Sequence, residues 1–441
     1  MDDTRSSKAL NEFRANACEA ISFKMIRTKA DFEGGVEFHP EFAHQIFGES
    51  ETIFGYRDLK VNIWYLAGSL STYIGTTFSA SIDPVTAKGV LPDDVYQLLS
   101  ETFPYKFDRS LVDFFQTFHS DTFKPYGTIR HTYKRTTGSK QTKKFCVYFI
   151  EHGMPDFDAF LDYHKKMESF LLFFVDGASA IPTDDTQWCY YTLFEVIDPQ
   201  QDGEAYSYAF IGYMTIFKFY AYPANLRPRL SQVLILPPFR NNGHASELLQ
   251  TFYRDFVHVP NVRDITVEDP SDDFRRIRDF IDCKRCLEQT EIMDLLKQAT
   301  ANGSSLTIPQ KSCYLAFRDK AQQCLKLSRC QAKRVYEILQ LHQLPRSPEA
   351  VQLFRNALLK RVKSNYERAT TDQMHGRGAD RRNTAGGSQS LRNLIDEVAD
   401  ECYSLQINEF VDQEMSAYQC IVTKLDRHFG RTNVTNGPST S

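Results

Sequence analysis

The spacing of apolar residues changes along the chain, and each change predicts a different kind of element. Ser110 to Phe118 carries large apolar residues three or four positions apart, which predicts one face of a helix. His164 to Phe174 is predicted to form a further helix. Trp188 to Val196 and Tyr206 to Tyr220 are rich in β-branched and aromatic residues, and turn-forming residues lie between them. This pair therefore predicts an antiparallel hairpin.

A strand, a sharp turn and a helix follow the hairpin. Arg229 to Leu236 is predicted as a strand, and Pro237-Pro238 ends it because proline lacks the N–H that a ladder needs. Ala245 to Val257 has helical periodicity, and Ile265 to Glu268 is a second short strand. Ser271 is the predicted N-cap of the next helix. Together these elements predict the α+β class, with a mixed, mostly antiparallel sheet and flanking helices.

Shifts in composition predict the divisions of the chain. The segment from Thr370 to Gly387 is polar and glycine-rich, which favours a disordered linker, whereas Leu391 to Phe429 regains helical periodicity. The predicted divisions are a flexible N-terminus (1–20), an α/β domain (21–145), an α+β core (146–285), a helical bundle (286–368), the linker (369–390), a C-terminal helix (391–430) and a disordered tail (431–441).

Bulk composition narrows the possible partners. The chain has 441 residues and a formal net charge of −4, which argues against a chain built to hold nucleic acid phosphates. The sequence shows no signal peptide and no apolar run long enough to span a membrane. The pair Cys283 and Cys286 has no second pair at zinc-site spacing, so no metal site is predicted. These features predict an intracellular protein with reduced thiols.

The loop between strand and helix is the strongest candidate for chemistry. Backbone N–H groups at a helix start lack intrahelical partners, and the helix dipole favours an anion there. The alternative is a surface loop with an incidental glycine. The candidate loop comprises Arg240, Asn241, Asn242, Gly243, His244, Ala245 and Ser246.

This spacing resembles the pyrophosphate loop of the GCN5-related N-acetyltransferases, which bind acetyl-CoA. Further motifs resemble a narrower family, the catalytic subunits of type B histone acetyltransferases, over roughly residues 20 to 345. The resemblance implies that 21–145 binds a histone tail and that 146–285 is the catalytic domain. The motifs are IFGESETIFGY (46–56), LAGSLSTY (66–73), FKPYGTIRHTY (123–133), RPRLSQVLILPPF (227–239), DITVEDP (264–270) and AKRVYEIL (332–339).

The resemblance implies roles for three acids. Glu268 is expected to be the general base at the cofactor's reactive end; the alternative is a solvent-facing carboxylate that caps the next helix. Asp269 is expected to cap or orient, or to take part directly. Asp176 stands where the family usually has Glu, and its shorter side chain leaves substrate positioning, a water relay or a plain loop residue as its possible roles.

The family also implies how acetyl-CoA is held. The main chain of Val233, Leu234 and Ile235 is expected to bond to the pantetheine and the thioester, while their side chains are core. Arg240 replaces the usual Gln and is expected to add a charge contact to a phosphate. His244 lies at the helix start, where its backbone matters more than its side chain. Neither the candidate loop (240–246) nor the DITVEDP motif (264–270) contains a cysteine. This favours direct transfer in a ternary complex without an acyl-enzyme.

The substrate implied by the resemblance is the N-terminal tail of free histone H4, acetylated at its fifth and twelfth residues. The residues expected to contact the tail, for which ordinary surface or core positions are the alternative, are Glu49, Ser50, Glu51, Trp188, Phe217, Lys218, Phe219 and Tyr220. The family further implies a WD-repeat histone chaperone of the retinoblastoma-binding type as partner, and a location in nucleus and cytoplasm.

Two other functions stay open at the level of sequence: acetylation of a non-histone amine, and histone binding without turnover. The motifs all precede residue 368, so truncation there is predicted to leave catalysis on a tail peptide largely intact. The C-terminal helix is then either regulatory, partner-binding or packed back on the body.

Overall fold

The computed structural model describes residues 10–85, 89–136, 142–197, 208–301, 311–376 and 389–430, and it divides the chain into two units. Unit 1 is Met1–Val262 with Thr266–Asp269, and unit 2 is Arg263–Ile265 with Pro270–Ser441. Between residues 262 and 270 the chain therefore passes from unit 1 to unit 2, returns to unit 1, and enters unit 2 again. Among the described helices, none combines the length and apolar composition that a membrane crossing requires.

All strands among the described residues lie in unit 1. They are β1 (Arg14–Asn16), β2 (Ile21–Ile26), β3 (Glu37–Phe38), β4 (Thr52–Phe54), β5 (Tyr56–Arg57), β6 (Lys60–Leu66), β7 (Thr72–Thr77), β8 (Ala80–Ser81), β9 (Thr128–Thr136), β10 (Thr142–Glu151), β11 (Trp188–Val196), β12 (Tyr208–Ala221), β13 (Asn225–Ile235) and β14 (Thr266–Val267).

Helices occur in both units. Those of unit 1 are α1 (Ala17–Ala20), α2 (Asp31–Gly34), α3 (His44–Phe47), α4 (Val95–Thr102), α5 (Leu111–Ser120), α6 (Phe157–Glu168), α7 (Leu171–Phe174) and α8 (His244–Phe256). Those of unit 2 are α9 (Asp272–Leu287), α10 (Thr290–Ala301), α11 (Lys311–Leu325), α12 (Arg329–Gln343), α13 (Pro348–Gly376) and α14 (Gln389–Phe429).

A six-stranded sheet with the order β14-β13-β12-β11-β10-β9 forms the centre of unit 1. Neighbouring strands within this sheet are antiparallel, except that β13 and β14 run parallel. A second sheet has the order β3-β2-β6-β7. The predicted α+β class, with a mostly antiparallel sheet and flanking helices, is confirmed, and so are the predicted hairpin of β11 with β12 and the predicted helix α5. Ser110 caps α5.

The predicted boundary at residue 145 does not separate two bodies in the structure. β9 precedes that boundary in sequence, yet it pairs with β10 and forms the edge of the six-stranded sheet. Arg27 also pairs with Glu195 at 2.9 Å, and the Phe210 N–H donates to the Ala67 carbonyl at 2.7 Å. Residues 21–145 and the following sheet therefore share one hydrophobic core.

Two local predictions need correction. The helix predicted from His164 to Phe174 is two helices, α6 and α7. Its apolar run is buried on nearly every side, so it carries no helical period. The N-terminus predicted as flexible instead contains β1 and α1 from residue 14, because β1 pairs with β4 and Ala17 is fully buried. Residues 1–9 lie outside the described part of the chain.

The helices of unit 2 share one core that begins earlier and ends later than the predicted bundle. Ser271 caps α9 as predicted, by accepting from the Phe274 N–H at 3.3 Å. α9 contributes the fully buried Cys283 and Cys286 to that core. Within the predicted linker (369–390), residues up to Gly376 continue α13 and residues 389 and 390 begin α14; residues 377–388 and the predicted tail lie outside the described residues.

The C-terminal helix α14 packs into this core. Tyr418 is buried and donates its hydroxyl to Glu337 of α12 at 2.9 Å. Arg334 of α12 pairs with both Asp279 of α9 and Glu414 of α14. The buried apolar residues that α14 contributes are Ile407, Val411, Met415, Tyr418, Ile421, Val422 and Leu425.

Removal of residues 389–441 is expected to unfold unit 2, in contrast to the outcome predicted from sequence. Each buried apolar side chain stabilises by about 1.5–3 kcal/mol, so the loss is comparable with the roughly 5–15 kcal/mol that holds a typical domain together. Thermal denaturation followed by circular dichroism measures this. Removal of 431–441 alone is the control, and an unchanged helical transition after the longer deletion would contradict the expectation.

Candidate active site

The turn after β13 forms a backbone cradle at the start of α8. Pro237–Phe239 is one turn of 3₁₀ helix, and Gly243 adopts a left-handed φ of +78° immediately before α8. A Cβ atom on Gly243 would meet Arg135 Nη2 at 3.5 Å, so the space beside the glycine is otherwise open. The first-turn N–H groups of this 13-residue helix lack a capping side chain. Such a cradle fits a phosphate group.

Alternate residues of β9 hold the first turn of α8. The Tyr133 hydroxyl lies 2.7 Å from His244 Nδ1, and His131 Nε2 lies 3.1 Å from Glu247 Oε2. Arg135 donates to Glu247 Oε1 at 2.5 Å. Burial, reinforced by Arg135, lowers the pKa of His244 to about 4, so this ring is neutral near pH 7. The side chain of His244 is thus buried and neutral at the start of α8.

The structure gives Arg240 a partner other than a phosphate. Its guanidinium forms an ion pair with Glu41, and its Nε donates to the Ile235 carbonyl at 3.0 Å. Asn242 braces the same turn through the Phe239 and Arg240 carbonyls at 3.3 and 3.2 Å. The cation beside Gly243 is Arg135 of β9, which sequence reasoning missed. Only the alternation of His131, Tyr133 and Arg135 in the strand could have indicated it.

The strand that leads into the cradle separates from its neighbour. Within the described residues, β14 pairs with β13 at Arg229 and Leu230 alone. The side chains of Leu234 and Ile235 are buried, as predicted, and Val233 is half-buried. These three residues pair with β12 on the opposite side. The edge of β13 toward β14 is therefore open where the predicted pantetheine contacts fall.

Glu268 lies exposed at the end of β14. Its N–H donates to the Leu230 carbonyl at 2.9 Å, and its Oε2 accepts from the Ser231 hydroxyl at 2.7 Å. Asp269 follows, exposed and with a positive φ of 25°. The side chain that caps α9 is Ser271, so neither acid has that task. The parallel pairing places Glu268 beside Leu230 and Ser231, where β14 separates from β13.

Asp176 and the predicted substrate residue Glu51 meet at one histidine. His44 Nε2 lies 3.4 Å from Asp176 Oδ1, and His44 Nδ1 lies 3.7 Å from Glu51 Oε1. The Ala43 N–H donates to Glu51 at 2.7 Å and lowers the pKa of its carboxyl group. Glu49 and Ser50 are exposed beside it. Sequence reasoning missed His44, which no motif singled out.

The segment after Asp176 is fastened on two sides. Glu168 Oε1 accepts from the Ile181 N–H at 3.0 Å, and Gln232 donates its side-chain amide to the Ser179 carbonyl at 2.9 Å. Burial raises the pKa of Glu168 to about 7. Gln232 follows Ser231 on β13, and Ser231 bonds to Glu268. The segment after Asp176 therefore runs beside the part of β13 that contacts Glu268.

The aromatic residues predicted to contact substrate divide into two sets. Trp188 is buried, and its ring packs on Phe217 with centroids 4.9 Å apart. Lys218 pairs with Glu151 at 2.7 Å. Phe219 and Tyr220 are exposed near the end of β12. The structure therefore leaves Phe219 and Tyr220 accessible, while Trp188 and Phe217 serve the packing of β11 on β12.

Comparisons with known proteins place the chain in a family. The family model "Histone acetyl transferase HAT1 N-terminus" matches residues 13–176. The histone acetyltransferase type B catalytic subunits of Mus musculus and Homo sapiens are each 32% identical to this chain, over 421 and 423 residues respectively. Each alignment covers 95% of this chain and 95% of the relative. A solved aminoglycoside acetyltransferase from an uncultured soil metagenomic sample covers 33% of this chain and 88% of its own, at 10% identity and a TM-score of 0.22, which is too weak to support an argument.

The relatives define an acetyltransferase enzyme. The chain belongs to the family of histone acetyltransferase type B catalytic subunits.

Proposed function

We propose that this enzyme transfers the acetyl group of acetyl-CoA to lysine ε-amino groups in the N-terminal tail of free, newly made histone H4. The observation that carries the proposal is the position of Glu268, at the end of β14 and beside the open edge of β13 that leads into the Gly243 cradle. The names of the relatives support histone as the substrate.

Acetyl-CoA would supply the acetyl group as an activated thioester. The cradle of Arg240 to Ser246 fits its phosphates, because backbone N–H groups and Arg135 face the same space. Apart from the Ile235 carbonyl, which accepts from Arg240, the unpaired main chain of Val233 to Ile235 provides the hydrogen-bonding edge along which the pantetheine would lie. Among the described residues no group of three or more His, Cys, Asp or Glu side chains is arranged so that it could hold a metal ion, and none of these roles requires one.

Glu268 would prepare the amine. A lysine side chain has a pKa of about 10.4, so near pH 7 it arrives protonated and cannot attack a carbonyl. An exposed carboxylate at the reactive end can accept that proton directly or through one water. Asp269 follows Glu268 directly in the chain. The segment after Asp176 passes beside β13, which also contacts Glu268. Asp269 and Asp176 are therefore the two alternative bases.

Two groups of exposed or half-buried residues in unit 1 suit a basic peptide. Asp176 and Glu51 are joined through His44, and Glu49 is exposed near them. Phe219 and Tyr220 present exposed rings that can cover the aliphatic part of a lysine side chain. The acids provide charge complementarity, and the rings provide apolar contact. A WD-repeat histone chaperone partner, and a location in nucleus and cytoplasm, are further parts of this proposal that rest on the family.

The test is acetyl transfer by the purified full-length enzyme to free histone H4, compared with nucleosomes and with a polyamine. Free H4 is expected to be the best substrate, and mass spectrometry is expected to locate the acetyl groups on the fifth and twelfth residues. Tail peptides with arginine at either position serve as matched substrates. Transfer to the polyamine alone would favour a non-histone amine, and binding of H4 without transfer would favour a scaffold.

A further inference from the structure

Ser231 occupies a bulge in β13. Thr215 of β12 pairs with Gln232, and the next residue, Ile216, pairs with Leu230, so Ser231 has no partner on β12. Thr215 Oγ1 accepts from the Gln232 N–H at 3.1 Å, which satisfies the backbone that the bulge disturbs. Bulges redirect a side chain and are frequent beside active sites.

The bulge directs Ser231 to the Glu268 carboxylate. The residue before the bulge, Leu230, accepts from the Glu268 N–H, and Ser231 donates to Glu268 Oε2 at 2.7 Å. The acid is thus fixed at its backbone and at one oxygen by successive residues of one strand. Among the described residues no hydrogen bond reaches Oε1, so that oxygen is the one left to accept a proton.

We infer that Ser231 is a positioning residue that holds the Glu268 carboxylate in the orientation from which it accepts the lysine proton. The inference rests on the proposed role of Glu268 as base. An exposed glutamate has three freely rotating side-chain bonds, and small misplacements of a reacting group lower rates strongly. Because Ser231 acts through Glu268, its loss reduces turnover and leaves the binding of acetyl-CoA unchanged.

The test uses Ser231→Thr, Ser231→Val and Ser231→Ala in the full-length enzyme. Thr and Val have nearly the same shape, and both suit a strand, but only Thr keeps the hydroxyl. The kcat on a tail peptide is expected to fall about tenfold or more in the Val and Ala variants and to be retained within about threefold in the Thr variant. The KM for acetyl-CoA is expected to stay within about twofold in all three. Ser79→Ala is the matched control, because Ser79 donates to Asp58 Oδ2 at 2.6 Å on another exposed part of unit 1.

A double-mutant cycle with Glu268→Gln separates the possible outcomes. If Ser231 acts through Glu268, Ser231→Val has little further effect in the Gln background. An equal loss in both backgrounds, equal activity of the Thr and Val variants, or wild-type kcat in the Val and Ala variants overturns the inference while the Glu268 assignment stands. Wild-type turnover of Glu268→Gln alone overturns the base assignment, and the inference with it.

Discussion

Replacement of Glu268 by glutamine is expected to lower kcat/KM for acetyl transfer by about two to four orders of magnitude near neutral pH, the usual contribution of a positioned base. At pH 7 fewer than about one lysine in 10³ is neutral, so the reaction depends on a group that accepts the proton. Glutamine has the size of glutamate, and its side-chain oxygen can still accept from Ser231. The substitution therefore removes the basicity and preserves the contact that orients the side chain.

Steady-state kinetics with a histone tail peptide measures this loss, and calorimetry with CoA checks that binding is retained. Asp269→Asn and Asp176→Asn are the companion variants, because these two acids are the alternative bases. Turnover like that of the wild type in Glu268→Gln, together with a large loss in one companion, would transfer the role to that acid. A loss confined to Glu268→Gln supports the proposal.

Gly243→Asp is expected to abolish measurable binding of CoA. The residue adopts a left-handed φ of +78°, which costs an L-residue about 1–2 kcal/mol, and the new carboxylate would stand where the first-turn N–H groups of α8 face a phosphate. Arg135 lies close enough to pair with that carboxylate, which would withdraw this cation from the ligand as well. Backbone strain, charge repulsion and a lost cation therefore act in the same direction.

Two further variants separate these causes in a calorimetric titration with CoA. Gly243→Ala introduces the strain without the charge and is expected to weaken binding about tenfold. Gly153→Asp places the same side chain at another left-handed glycine, with φ of +87° and open space around it, and is expected to leave binding unchanged. Unchanged affinity of Gly243→Asp would show that the phosphates bind elsewhere.

The elements around the cradle could be predicted because their signals are local. Two prolines end β13, a glycine precedes α8, and Ser271 begins α9, each within a few residues of the structure it determines. The expected parallel pairing of the strand that bears Glu268 with β13 is also what the structure shows. Main-chain constraints of this kind act at short range and leave a readable pattern.

Other features depend on partners far along the chain. The bulge at Ser231 exists because of its register against β12, and His44 reaches Asp176 across 132 residues of sequence. Arg135 approaches Gly243 only because β9 and α8 meet in the folded unit. The burial of α14 likewise depends on α9, α12 and α13; its periodicity predicted a helix but left open whether that helix packs on the body. No local pattern specifies such pairings.

The repeated passage of the chain between the two units limits how the enzyme can be divided. A fragment that ends at Val262 lacks the acid on β14, and one that ends at Asp269 keeps residues 263–265 without the unit they belong to. In the intact chain, Ile265 donates to the Lys326 carbonyl and accepts from Arg278, both in unit 2. No single cut therefore yields two complete modules. Exchange of the helical unit between relatives would require three junctions, two before Glu268 and one after it.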